Sequence, residues 1–227
     1  MYNMRINIKT TPNNSPVSMD YQYLMTGALH KWLGQNDYHD NLSLYSFSGL
    51  SGGKMQKGKL DFKNGASFFI SSWNTNLLKD LISGMNKDPY MFFGMEVEQV
   101  WIDDNPDLSN KDYFYLASPV YIQRIEENGN KKFFYYNDKE SPALMVETLK
   151  TKMKEAGLPD DDSLSIEFDQ SFIKKKIKMV TYKHKDKPFH MKVNWCPVII
   201  KGRPETKVFA WNVGIGNSTG IGLGALK

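Results

Sequence analysis

Residues 214–227 read Gly214-Ile215-Gly216-Asn217-Ser218-Thr219-Gly220-Ile221-Gly222-Leu223-Gly224-Ala225-Leu226-Lys227. Five glycines fall within eleven positions. Glycine admits positive φ and lets a backbone approach a ligand closely, and successive N–H groups in such loops can cradle phosphates. A dinucleotide fingerprint must open a helix directly after its glycines, and only three residues follow Gly224. A Walker loop needs Gly-Lys-Ser/Thr, which is missing. The apolar run 208–213 ahead of the loop, with Ile221, Leu223 and Leu226 spaced through it, reads as strand-like. Two readings stay open: a bulged edge hairpin or a ligand-binding loop.

Upstream of this loop the pattern is one of alternating strands and helices. Residues 3–10 alternate like a strand. A helix over 18–33, with Ser18 as its cap and Asp20 in its first turn, places Tyr21, Leu24, Met25, Ala28 and Trp32 on one face. Residues 41–48 read as a strand, and 49–58 as a glycine-containing segment. Residues 59–63 and 66–71 read as a hairpin around Asn64-Gly65. A helix over 75–85, with Asn74 as its cap, and a strand over 90–102 complete a ferredoxin-like order. The polar stretch 103–112 marks the boundary between an N-terminal unit, 1–110, and a C-terminal unit, 111–227. In the second unit, 113–125 and 132–136 read as strands. A helix over 141–156 carries Pro142 in its first turn and Gly157 at its end. Residue 164–168 is a strand, and 172–184 with 191–200 form a long hairpin. This half has the same order without a clear second helix. The expected fold class is α+β: two tandem ferredoxin-like domains with a C-terminal glycine-rich loop.

At 227 residues with 41% hydrophobic content, the chain can build one large or two small cores. The single Cys196 excludes an internal disulfide and sits in an apolar run, as a buried thiol of a reducing compartment would. No stretch reaches the length of a membrane span, and the N-terminus has no signal-peptide core; the expected location is cytoplasmic. The net charge of +4 is uneven. Residues 1–118 carry 10 Lys/Arg and 12 Asp/Glu, and residues 119–227 carry 19 and 13. That asymmetry points to a polyanion-binding second half.

The pattern Gly214-Ile215-Gly216, five residues, Gly222-Leu223-Gly224 resembles the signature of the CRISPR repeat-processing endoribonucleases of the RAMP superfamily of RNA-binding proteins. Residues 23–29 resemble that family's first helix, 44–48 its second strand, and 117–120 the strand opening its second half. The resemblance implies two ferredoxin-like domains and a metal-independent endoribonuclease that cuts CRISPR repeat precursor RNA to mature guide RNAs. It leaves open a non-catalytic RAMP subunit that binds guide RNA in an effector complex. From another class, a structural protein-interaction module with the glycine tail as its docking edge also stays open. The implied partner is repeat RNA; other effector subunits and a homodimer are further associations left open. No membrane partner and no cofactor are expected.

None of the four histidines lies in a metal-spaced cluster, and no HExxH, CxxC, calcium loop or Gly-x-Ser-x-Gly elbow is present. Cys196 in its apolar run is a poor nucleophile. The acidic stretch Asp160-Asp161-Asp162 reads as a solvated turn. His39, just past the first helix, reads on its own as a surface loop residue; the family resemblance implies a general base or acid there. A histidine suits that task because its unperturbed pKa, about 6.5, lies near working pH. His30 lies opposite the apolar helix face, so it is a solvent-facing or a site residue. Many family members carry a tyrosine at this helix position and a lysine near Ser43; here the resemblance implies a two-histidine arrangement, with Lys54 or Lys57 supplying positive charge. The expected reaction removes the 2′-hydroxyl proton, attacks the adjacent phosphate, and leaves a 2′,3′-cyclic phosphate and a 5′-hydroxyl. Residues 172–187 hold seven lysines and one Asp. A solvated edge and an RNA-binding surface are both readings of that run. Lys174, Lys175, Lys176 and Lys178 are its candidate RNA contacts, together with Gly214, Gly216, Asn217, Ser218, Gly220, Gly222 and Gly224 of the loop.

Overall fold

A computed structural model describes residues 4–34, 42–184 and 187–227. The first half is built on β1 (Met4–Thr10), α1 (Gln22–Leu33), β3 (Tyr45–Phe47), β6 (Ser67–Ser72), α2 (Thr75–Lys87) and β7 (Val97–Asp104). These four strands pair antiparallel in the order β3-β6-β1-β7. That is a βαββαβ unit with its first and third strands in the centre. Strand alternation separates the two faces. Ile6 and Ile8 of β1 lie opposite Ile70 and Phe68 of β6. All four are buried with Met25, Leu29 and Trp32 of α1 and Leu77, Leu78 and Leu81 of α2. The other face carries Arg5, Asn7, Phe69 and Trp101.

Three short strands, β2 (Val17–Ser18), β4 (Lys54–Gln56) and β5 (Lys59–Asp61), form a separate small sheet in the order β2-β5-β4. Its hairpin turns at Lys57-Gly58, both at positive φ as a two-residue primed turn requires. The hairpin expected around Asn64-Gly65 is therefore corrected: β5 pairs with β2 and β4, and β6 pairs with β1 and β3. Gly65 still makes a tight turn, its N–H donating to Phe62 O at 2.9 Å. It passes so close to β1 that a β-carbon would collide with the carbonyl of Thr10. The cap of α2 is as expected, with Asn74 Oδ1 accepting from the N–H of Asn76 at 2.9 Å. The start of α1 differs: Ser18 belongs to β2, and the helix begins at Gln22 without a side-chain cap.

The second half repeats the topology. Its elements are β8 (Tyr113–Phe114), α3 (Ser141–Glu155), β11 (Ser165–Phe168), β14 (Val198–Lys201) and α4 (Pro204–Val213), with the sheet order β11-β14-β8. The C-terminus adds the fourth strand position. Tyr115 and Lys227 exchange N–H···O bonds, and Ala117 N–H donates to Ala225 O. Two hairpins are inserted: β9 (Gln123–Ile125) with β10 (Lys131–Phe133), and β12 (Lys176–His184) with β13 (Lys187–Trp195).

The helix α4 corrects the strand-like reading of 208–213 and supplies the missing second helix. Pro204 sits in its first turn with Glu205, and Gly214 ends it at φ 70°. The residues from Phe209 to Val213 are all buried. An apolar run covered on every side has no helical period to read. Likewise 191–200 is broken at Cys196-Pro197 into β13 and β14, and the lysine-rich strand begins at Lys176 rather than at residue 172. Asp161 is not solvated. Its carboxylate accepts from Thr206 Oγ1 at 2.6 Å and from Arg203 N–H at 2.8 Å. Burial pushes its pKa up, but these bonds and those from Ser163 outweigh it and hold the group well below the usual carboxylate range. Among the described residues, no helix is long and apolar enough to cross a membrane.

Candidate nucleic-acid interface

The open face of the first sheet is divided in two. At one end it is covered by the second half. Ser46 Oγ donates to the carbonyl of Asn212, near the end of α4, at 3.1 Å. Arg5 is 7% exposed, its guanidinium sandwiched 3.7 Å from the Phe69 ring and 3.9 Å from the Trp211 ring. It donates to Leu226 O at 3.0 Å. Burial lowers its pKa to about 9, against the raising effect of Asp103. A planar, weakly hydrated cation between two aromatic faces is what such a dry seam accommodates best.

At the other end the face stays open and forms one wall of a cleft of about 620 Å³ between the halves. Asn7, Phe69 and Trp101 line this wall, and Lys178, Trp195 and Lys227 line the opposite side. Trp101 is 40% exposed. Lys178 Nζ sits 4.2 Å from the centre of the Trp195 ring; burial, then the nearby Lys176, lowers its pKa. Aromatic planes beside cations can stack bases while neutralising phosphates. The wall came from strand pairing that residue order alone does not reveal. Period two puts Asn7 and Phe69 on the face opposite Ile6 and Phe68, but only the register sets them beside Trp101.

The lysines of the basic run are placed unequally. Lys176 and Lys178 share one strand face, since they are two residues apart in β12. Lys174 and Lys175 precede the strand, and Lys175 Nζ is bound to the carbonyls of Gln170 and Phe172.

The glycine loop has protein on both sides. Gly214, Gly216, Gly220, Gly222 and Gly224 are all buried. A β-carbon at Gly216 would lie 2.5 Å from Tyr121 O, and at Gly222 2.5 Å from the Phe47 ring. Gln22 Nε2 donates to Gly222 O at 2.8 Å, and Tyr45 OH to Gly220 O at 3.2 Å. Ile215 belongs to the second core, and Leu223 packs with Tyr121, Met191 and Val193. The loop thus joins the two halves. Ser218 is its exposed tip, at φ 60°, and Asn217 is half-buried, with its Oδ1 accepting from Gln123 N–H at 2.9 Å. Close approach is required here by protein neighbours, so RNA contact through the five glycines themselves finds no open surface.

Of the candidate catalytic residues, the described His30 and Lys54 lie toward opposite ends of α1. His39 lies outside the described residues. His30 is half-buried in the last turn of α1. Lys54 is exposed on β4, whose sheet joins the chain at β2, ahead of the start of α1. The helix separates that start from His30 by roughly 12 Å of axial rise. Cys196 is buried, and burial followed by Asp169 pushes its thiol up to about 11, so it holds no thiolate near neutral pH.

The sequence model of the family described as CRISPR associated protein Cas6, C-terminal, matches residues 103–227, more than half of the chain. The chain belongs to the Cas6 family of CRISPR-associated proteins. Solved structures share its fold. A Cas6-related protein from Pyrococcus furiosus is 20% identical with a TM-score of 0.82, over 99% of this chain and 98% of that one. A RAMP protein binding different RNA substrates is 20% identical with a TM-score of 0.81, over the same shares. Cse3 of Thermus thermophilus, bound to an RNA representing a pre-cleavage complex, is 12% identical with a TM-score of 0.51, over 100% and 98%. No curated protein matches the chain at a significant level. The Cas6 match covers α4, the glycine loop and the basic hairpin, and the hairpin supplies Lys178 and Trp195 to the second side of the cleft.

Proposed function

We propose that this Cas6-family chain binds the repeat RNA of a CRISPR transcript in the cleft between its two halves and cuts it to mature guide RNAs. The observation that carries the reading is the cleft itself. An open ferredoxin-like sheet face with Phe69 and Trp101 meets Lys178 and Trp195 of the family-matched half. Such a surface suits single-stranded RNA, whose bases stack on aromatic rings while its phosphates meet cations. In this reading residues 1–110 contribute the cleavage residues and residues 111–227 contribute the basic hairpin.

The chemistry proposed is metal-independent. One of His39 and His30 takes the proton from the 2′-hydroxyl; that oxygen attacks the adjacent phosphorus and the bond to the 5′-oxygen breaks. The other histidine protonates the departing oxygen, leaving a 2′,3′-cyclic phosphate and a 5′-hydroxyl. A cation stabilises charge building on the phosphate oxygens.

The test is incubation with repeat RNA from the same genomic locus in EDTA, with and without a 2′-deoxy nucleotide at the cut site. Cleavage of the ribose substrate alone, with cyclic-phosphate ends, is expected. Cutting of the deoxy substrate excludes the 2′-hydroxyl route. Tight binding without cutting identifies a guide-binding subunit, and no RNA binding at moderate salt identifies a protein-interaction module.

A further inference from the structure

A second, smaller cavity of about 190 Å³ lies on the other side of the glycine loop. Its polar lining is Ser43, Thr148, Lys152, Asn217, Ser218 and Thr219, with no carboxylate among the lining residues. Lys152, on α3, is 2% exposed. Its ammonium donates to Thr219 Oγ1 at 2.8 Å and to Val213 O at 3.1 Å. Val213 is the last residue of α4, so its carbonyl is one that the helix leaves without an internal partner. These bonds use two of the three ammonium protons. Among the described residues no carboxylate balances the charge, and Glu147 earlier on α3 is paired with Arg124 at 3.1 Å. Thr148 Oγ1 accepts from the same Arg124 at 3.2 Å.

A buried cation without a counter-ion is costly, and burial alone lowers the Lys152 pKa to about 7. Had the site needed only packing, an apolar side chain of the same length would fill it. A cation beneath a ring of hydroxyls, open to a cavity of roughly six water volumes, is a setting that favours an oxyanion. We propose that this cavity is an anion site that takes a phosphate group of the bound RNA, with Lys152 as its cation and the Ser43 and Ser218 hydroxyls as its remaining donors. The proposal rests on the RNA-binding reading for the source of the phosphate, but not for the anion chemistry. The loop connects it to the cleft, since Gln22 lines the cleft and donates to Gly222.

The test uses inorganic phosphate first and RNA second. Melting of the full chain is followed as phosphate replaces chloride at constant ionic strength, with phosphorus NMR line widths as the direct binding signal. Ser218→Asp puts a negative charge at the mouth on an exposed residue whose left-handed backbone aspartate tolerates; Ser218→Asn is its uncharged match. Lys152→Met removes the cation. Phosphate at ten times its Kd should raise the melting temperature of wild type and Ser218→Asn by about 3–6 °C. It should leave Ser218→Asp and Lys152→Met unmoved. Repeat RNA should bind Ser218→Asp at least about tenfold more weakly than Ser218→Asn, the usual scale of one charge-assisted hydrogen bond. Equal phosphate protection in Ser218→Asp and wild type overturns the site, as does RNA binding by wild type with no phosphate effect. Phosphate protection in a chain that binds no RNA would uphold the anion site and sink the RNA reading alone.

Discussion

Replacing Gly224 with alanine would place a methyl group against the carbonyl oxygen of Ile215, 1.9 Å away. That oxygen cannot move aside cheaply, because the Ile215 N–H donates to Gly224 O at 3.0 Å and fixes the two residues face to face. Gly224 N–H also donates to Pro119 O at 2.8 Å, so relief of the clash strains bonds to two segments. Three terms add. A left-handed backbone, φ 71° here, costs a non-glycine residue about 1–2 kcal/mol. Overpacking of a filled site costs about 1–3 kcal/mol. A lost buried hydrogen bond costs about 0.5–1.5 kcal/mol. The sum, about 3–6 kcal/mol, is a large part of the 5–15 kcal/mol typical of a whole domain. The control is Gly58→Ala in the β4–β5 turn, where φ is 76° but nothing lies within 4 Å of the added carbon. It carries the backbone term only. Urea denaturation followed by circular dichroism should show Gly224→Ala destabilised by about 1.5–4.5 kcal/mol more than Gly58→Ala. Equal losses would refute the packing account of the loop. An unchanged midpoint with weakened RNA binding would turn the loop back into an RNA contact.

Single-turnover cleavage by His39→Ala should fall roughly 10²–10⁴-fold with RNA affinity within a few-fold, and by less in His30→Ala; a wild-type rate in His39→Ala would remove it from the mechanism. Trp101→Ala should weaken RNA binding by about 1–3 kcal/mol with little change in melting, because Trp101 is half-exposed; filter binding and calorimetry check the pair. Lys176→Gln with Lys178→Gln should flatten the slope of log K against log salt by more than Lys175→Gln, whose ammonium is held within its own turn. Burial lowers the folded pKa of Lys152 to about 7, below its ordinary value of 10.5, so between those limits the unfolded chain binds the extra proton. Its penalty is therefore full below about pH 7 and fades toward pH 10.5, and stability should climb over that window in wild type but less in Lys152→Met; parallel pH profiles would sink the assignment.

The parts of the fold that were legible share one property: a local signal that the surroundings did not override. The alternation of Met4 to Thr10 gave β1, and Asn74 gave the start of α2. The Asn64-Gly65 turn was legible as a turn, but turn chemistry does not name the strand that follows as a partner, and the long β6 found two better ones. Helix α4 was hidden because burial on all sides erases periodicity. The cleft wall depends on register between strands far apart in sequence, which no local pattern carries. The buried cations Arg5 and Lys152 were hidden for a different reason: charged residues are exposed by default. Arg5 and Lys152 depart from that default only because tertiary contacts supply aromatic faces or carbonyl oxygens.

These departures explain why the cleft lies where it does. A ferredoxin-like sheet has one face covered by its own helices and one face bare. Here the bare face of the first sheet is covered only as far as α4 extends, around Arg5, Ser46 and Trp211. Gly214 stops the helix at that point and turns the chain back. The chain must also return to lie beside Tyr115 and Ala117 as the last strand of the second sheet, and the space left for it is bounded by Phe47, Tyr45 and Tyr121. Only a backbone nearly free of side chains fits such a gap, which is why glycine recurs at Gly216, Gly220, Gly222 and Gly224. The loop is bonded to both halves, to Gln22 and Tyr45 of the first and to Tyr121 of the second. A substitution there that leaves the chain folded should loosen the joint between them, so its RNA affinity and its stability will fall together rather than independently.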